Sequence, residues 1–174
     1  MQRTGASLAV AAGLLLLFTG SALADDDERG ASNASLRGKF RFNLNKTCTD
    51  SFNQSLVHTH FIGVTTYDGN GGATVTERGT LFLPATNTFL TFEETAVLTY
   101  QVKRNGTFTQ EGTFTATDGS YTLTGAKLVG QIDAQGSVLA LSAATPPVLE
   151  TLSDLGGPFT QRSCGGLGTA VRIR

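Results

Sequence analysis

Along residues 36–44, apolar and polar positions alternate one by one. Leu36, Gly38, Phe40, Phe42 and Leu44 hold one set; Arg37, Lys39, Arg41 and Asn43 hold the other. A period of two is the pattern of an extended strand with one buried face. Less clean versions run through 56–67, 73–83 and 89–102, the second of these stopping before Pro84. The segment 106–117 is the clearest. Phe108, Phe114 and Ala116 share a face with Gly106, Gln110 and Gly112, and Thr107, Thr109, Glu111, Thr113, Thr115 and Thr117 share the other. Further strands are expected at 120–130, 137–143 and 168–173. The intervening "DGNGG", "KRNG", "TDGS" and "DAQG" are hairpin turn signals.

The period changes once. In "PPVLETLSDLGGP", Val148, Leu149, Leu152 and Leu155 recur at i, i+1, i+4 and i+7, with Pro-Pro before and Gly-Gly-Pro after. Proline at the start and glycine past the end are helix punctuation, which predicts a short helix over 147–155.

Short strands joined mostly by hairpins predict an all-β fold, a sandwich or a barrel. The cysteines favour the barrel. Cys48 follows the first strand and Cys164 precedes the last. If those strands pair antiparallel, the two cysteines fall side by side, and a disulfide staples the seam of a closed sheet. The fold class expected is a closed antiparallel barrel of about eight strands with one short helix near the C-terminus. Closure also removes the free edges of a Thr-rich sheet.

The first 24 residues read differently. Arg3 precedes an apolar stretch from Leu8 to Phe18, and Ala22-Leu23-Ala24 is a small-x-small cleavage pattern. That is the form of a secretory signal peptide. Residues 25–35, "DDDERGASNAS", read as an acidic solvated leader, and 36–174 as a single domain. An exported, periplasmic or extracellular protein with two cysteines is expected to join them. No other apolar run is long enough to span a bilayer as a helix. Without Arg3 the remaining chain carries 12 basic and 14 acidic side chains, a net charge of −2, which argues against bulk nucleic-acid binding. The absence of Trp and the 21 glycines fit a turn-rich β domain.

Candidate chemistry is sparse. His58 and His60 are the only histidines, and their i, i+2 spacing puts both rings on one face of a strand. They are candidate metal ligands, although a stable zinc site uses three or four ligands, and carboxylates such as Glu77, Glu93 or Glu94 would have to complete it. The plainer account is two polar residues near a strand end. "DGNGG" lacks the twelfth-position carboxylate of an EF-hand, since Gly79 stands there. Arg37, Lys39 and Arg41 share a face, as do Arg172 and Arg174. Pairing of first and last strands would gather all five into a candidate anion-binding stripe for an anionic envelope component. No nucleophile elbow, zinc-protease helix or phosphate loop occurs, and no cofactor is implied. Glu93 and Glu94 are adjacent and so face opposite sides of a strand.

Three segments carry a resemblance. "ASLRGKFRF", "YDGNGGATV" and "NGTFTQEGTFTAT" resemble a broad group of small exported bacterial proteins with a Ser-Leu-Arg-Gly-x-Tyr/Phe start and Asp-Gly-x-Gly hairpins. The overall plan is also similar to the calycins: an antiparallel barrel, a late helix and a closing strand. Gly38-Lys39-Phe40 stands where lipocalins carry Gly-x-Trp. The function expected on these grounds is non-enzymatic binding of a small apolar molecule inside the barrel. Phe40, Phe42, Phe108, Phe114, Tyr121 and Leu123 are the candidate lining, or equally an ordinary filled core. The alternatives are a surface interaction protein using the basic stripe and an isomerase- or cyclase-type enzyme on a barrel scaffold.

Overall fold

The computed structural model describes residues 30–50, 56–154 and 160–174. The predicted signal peptide and residues 25–29 of the acidic leader lie outside the described residues. Nine strands follow in order: β1 (Arg37–Asp50), β2 (Leu56–Asp68), β3 (Gly72–Leu83), β4 (Thr88–Val102), β5 (Thr107–Ala116), β6 (Tyr121–Ile132), β7 (Val138–Ala143), β8 (Leu149–Asp154) and β9 (Thr160–Ile173). Each of β1 to β6 pairs antiparallel with the next, β7 pairs with β9, and β9 returns to β1. The ring is closed. One register pair of the β1–β9 seam is Cys48 opposite Cys164, and the two form a disulfide.

The expected helix over 147–155 is absent. Its residues Leu149–Asp154 form β8, while Leu155 lies outside the described residues. β7 borders the lower half of β6 at 128–132, and β8 borders the upper half at 121–124. Both also pair antiparallel with β9. They run in the same direction, one behind the other, and together fill one strand's place in an eight-position barrel. The reason lies in the neighbours. The upper ends of β6 and β9 present unpaired ladder groups that need a partner, and a helix would leave them bare. Pro146 and Pro147, which lack an N–H, sit in the gap where no ladder bond is asked of them.

The barrel interior has two halves. The base is apolar: Leu36, Phe40, Phe108 and Leu139 are fully buried there. Edge-to-face contacts link Phe40 to Tyr67 at 5.4 Å and Tyr67 to Tyr100 at 5.0 Å. The packing is tight enough that a Cβ on Gly130 would run into the Phe108 ring. Residues 30–36, including a 3-10 turn at Asn33–Ser35, close this end. Asn33 Oδ1 accepts the Val102 N–H at 2.7 Å, and the Tyr100 hydroxyl lies 3.0 Å from the Leu36 carbonyl it donates to. Most of these residues belong to the segment that reads as leader in the sequence. The other half of the interior is polar and opens toward the mouth.

Candidate functional site

The mouth is built from inward positions of six strands. β1 brings Lys46, β3 Glu77, β4 Glu94, β6 Tyr121, β8 Glu150 and β9 Arg162. Lys46, Glu77, Glu94 and Glu150 are buried. Each lies two residues along a strand from an apolar inward neighbour: Leu44, Val75, Ala96 and Leu152. The same alternation that fills the base therefore delivers charge higher up.

The charges are paired. Glu150 Oε1 takes the Lys46 ammonium in a short ion pair, and Arg162 Nε donates to Glu150 Oε2 at 3.0 Å. The Cys164 sulfur lies 3.2 Å from the same Oε2. Burial holds the Lys46 ammonium below its ordinary pKa, with Glu150 as the main opposing influence. Across the barrel, Glu77 stands directly opposite Glu94 on paired strands. Burial is the first cause that raises the Glu77 carboxyl well above the usual range, and its hydrogen bond to Glu94 is the second. Two carboxyls in such contact share one proton. Tyr121 gives Glu94 a further hydrogen bond at 2.9 Å. Burial, then the Glu94 charge, raises the Tyr121 phenol. No buried side-chain nitrogen or oxygen among the described residues lacks a partner.

Two spaces adjoin this floor. The lower one, against Phe42, Phe114, Leu123, Glu77 and Glu94, offers about 40 Å³ to the centre of a water-sized sphere. One water needs about 10–15 Å³ on that measure, so this space suits a few waters and no organic ligand. The upper one offers about 240 Å³ on the same measure. Thr59, Phe61, Leu81, Leu90, Phe92 and Leu152 wall it, and Glu94, Tyr121 and Arg162 form its floor. Organic ligand sites run to about 300–1,000 Å³, so the mouth approaches that range where the lower cavity does not.

The six aromatic and aliphatic residues expected to line a cavity divide. Phe40 and Phe108 are filled core at the base. Phe42, Phe114 and Leu123 border the small lower cavity, and Tyr121 reaches the mouth.

The five-charge stripe divides as well. Arg37, Lys39 and Arg41 are exposed on the outside of β1. Arg172 pairs with Phe40, not with Arg41, and so shares the inward face. Its guanidinium lies 5.1 Å over the Phe40 ring and donates to the Ser35 carbonyl at 2.9 Å. Arg174 is exposed beyond the end of β9. The seam register, not the alternation within either strand, decides this.

His58 and His60 face outward and are exposed. His58 Nδ1 lies 3.0 Å from Thr47 Oγ1, His60 Nε2 lies 3.1 Å from Asn43 Oδ1, and the His58 ring stacks near Phe82. Among the described residues, the one group of three acidic, histidine or cysteine ligands close enough for a metal is Cys48, Glu150 and Cys164. Its two sulfurs are joined to each other. In "DGNGG", Asp68 Oδ1 accepts the N–H groups of Asn70, Gly71 and Gly72, which accounts for the turn. No helix of the described residues is long and apolar enough to cross a membrane.

No family model matches the chain, and no relative is found among curated proteins. One solved structure is similar. It is a crystal structure of a Nitrosomonas europaea protein provisionally named AttH, 9% identical, with a TM-score of 0.43. The match covers 90% of this chain and 57% of that one, so the chain spans a little over half its length. A likeness this slight assigns neither fold family nor activity.

Sequence reasoning missed Lys46, Glu150 and Arg162. The signal was present in strand parity. Lys46 continues the inward series Phe40, Phe42, Leu44, and Arg162 lies two residues before the seam cysteine.

Proposed function

We propose that this chain is an exported binding protein of calycin-like plan that holds a small, largely apolar molecule in the mouth of its barrel. The observation that carries this reading is the mouth itself. It combines apolar walls at Leu81, Leu90, Phe92 and Leu152 with a floor of converging polar groups. A concave, mostly apolar space with a few placed polar groups is the usual form of a small-molecule site. Buried ionisable groups with displaced pKa values concentrate at such sites. Simple stability offers little reason for them, because apolar residues of similar volume commonly stabilise an interior as well or better.

Both histidines are exposed and neither meets a carboxylate in the barrel. The mouth therefore offers binding groups without an evident nucleophile–base pair, which favours binding over an enzyme. The apolar reading of the deep interior gives way to a site nearer the rim.

The test is a fluorescence titration of the folded protein with Nile red, a neutral apolar dye. Leu90 is half-exposed at the rim, so Leu90→Glu places a charge in the wall with little harm to the core. Val97 is exposed on the outside of the same strand. Dye binding is expected to weaken at least tenfold in Leu90→Glu and to stay unchanged in Val97→Glu. No binding to the parent protein, or equal loss in both variants, overturns the reading.

A further inference from the structure

At the mouth, β4 outruns the strand beside it. β4 starts at Thr88, but β5 ends at Ala116, opposite Glu94. One further bond joins the Thr117 N–H to the Glu93 carbonyl at 2.9 Å. On its other side β4 stays paired with β3 as far as Thr88, opposite Leu83. Among the described residues, 88–92 therefore form a strand edge with no partner strand on the β5 side. Along a strand the N–H and C=O of alternate residues turn to the same neighbour. The Glu93 carbonyl points toward β5, so Thr91 and Phe89 turn both of their backbone groups to the open side. Phe89 is 67% exposed and Leu90 50%. An open edge with apolar side chains is a template for another strand.

The same edge limits what can fill it. An incoming strand has room for five residues and must turn away opposite Glu93, where Thr117 already holds β4. A second copy of this chain meets that condition. Its own 88–92 would run antiparallel here about a two-fold axis at Leu90, and its chain turns over 84–87, immediately before Thr88. Phe89 then faces Thr91 of the copy, and Thr91 faces Phe89 of the copy. Every outward backbone group on both edges finds a partner at that register. A slip of two residues would set Phe89 against the occupied Glu93, or Thr91 against the turn. The copy's turn falls by the cleft between Thr91, Glu93, Thr117, Asp118 and Ser120. Residues 79–92 carry no charged side chain, so the stretch can face itself without the like-charge repulsion that opposes strand pairing.

We infer that two copies join through residues 88–92 of β4 in an antiparallel, two-fold sheet contact. The same patch serves both copies, as a two-fold interface requires. Leu90 walls the mouth, so each copy adds a leucine beside the rim of the other. The contact is short and belongs with weak, transient interfaces.

Sedimentation equilibrium of the folded protein, run up to ~1 mM, tests it. The parent is expected to dimerise reversibly. Thr91→Pro removes an N–H that points away from β3, a place where an edge strand tolerates proline. It is expected to weaken the dimer at least tenfold, and Val97→Glu to leave it unchanged. The register is tested by Leu90→Cys. Facing residues of a non-hydrogen-bonded pair stand about 4.5 Å apart at Cα, within reach of a disulfide. Leu90→Cys is expected to give a covalent dimer on mild oxidation. Thr88→Cys, which would face Phe92 of the copy, is not.

A parent that stays monomeric overturns the inference. Slow hydrogen exchange at the Phe89 and Thr91 amides of that monomer would assign the edge to another segment of the same chain, and fast exchange would leave it to a different strand. A folded Thr91→Pro protein that dimerises as the parent does, or equal crosslinking of the two cysteine variants, also overturns it. Should Thr91→Pro fail to fold, the cysteine pair decides. The mouth is judged separately: a monomer that binds Nile red keeps that site and loses only the dimer.

Discussion

Glu77 shows how a single carboxyl can be set by its surroundings. It is buried, faces a second carboxyl across a strand pair, and holds its proton far above the usual range. In the unfolded chain it would ionise near 4.5. Between that value and its raised folded value, the folded state binds the extra proton, so this group's contribution to stability is full in acid and declines as pH rises. The slope is about 1.4 kcal/mol per pH unit while one whole proton is at stake. Lys46, lowered from 10.5, acts in the opposite sense in its own, more alkaline window. Comparing the parent with Glu77→Gln isolates the carboxyl. The parent is expected to lose stability relative to the variant between pH 5 and pH 8, read as denaturation midpoints. Parallel pH profiles would mean that Glu77 carries no such proton.

At the scale of elements, most strands could be read from alternation because half-buried sheet faces impose it. The strands at 106–117, 120–130 and 137–143 appear within a residue or two of their places. Two kinds of element were hidden. The mouth halves of β1 and β9 carry Lys46, Arg162 and glycines on their inward side, so apolar–polar contrast fades just where the strands become functional. β8 offers a helical spacing of leucines, but Glu150 reaches inward to Lys46 and Arg162, and the strand pairs on both sides. Long-range pairing overrides a six-residue local pattern. The break between β7 and β8 also makes a demand on β6. Gly125 has φ +75, and a Cβ there would lie 2.8 Å from the Leu149 carbonyl oxygen. Gly125→Ala is expected to cost about 1–2 kcal/mol through the left-handed backbone alone, with the close contact adding to it. A change under about 0.5 kcal/mol in urea denaturation would show that β6 can straighten there.

At the scale of the whole molecule, the ring and its covalent seam were accessible from two cysteine positions, because only strand closure brings chain ends so far apart into register. The apolar base was accessible too, as a row of inward aromatics. The polar mouth was not, because reading a charged residue as solvent-facing is usually sound and fails for a group that finds its partner on a distant strand. The disulfide spans 116 residues of sequence. Chain entropy assigns a loop of that length up to about 4–5 kcal/mol, and measured values often fall short. Cys48→Ser is expected to lower the melting temperature as much as the double change with Cys164→Ser. Independent, additive losses would mean the cysteines are not linked.

The seam pairs the first strand with the last, and this sets a deadline on folding. A ribosome or a translocation channel delivers the chain from its N-terminus, so β1 emerges early with one edge unsatisfied. That edge waits until the final 14-residue strand, Thr160–Ile173, is free of the machinery. Hairpins between successive strands can form on the way, but closure spans nearly the whole described chain and is the slowest kind of contact to make. During that interval the newborn protein is an open, sticky ribbon, vulnerable to pairing with its siblings.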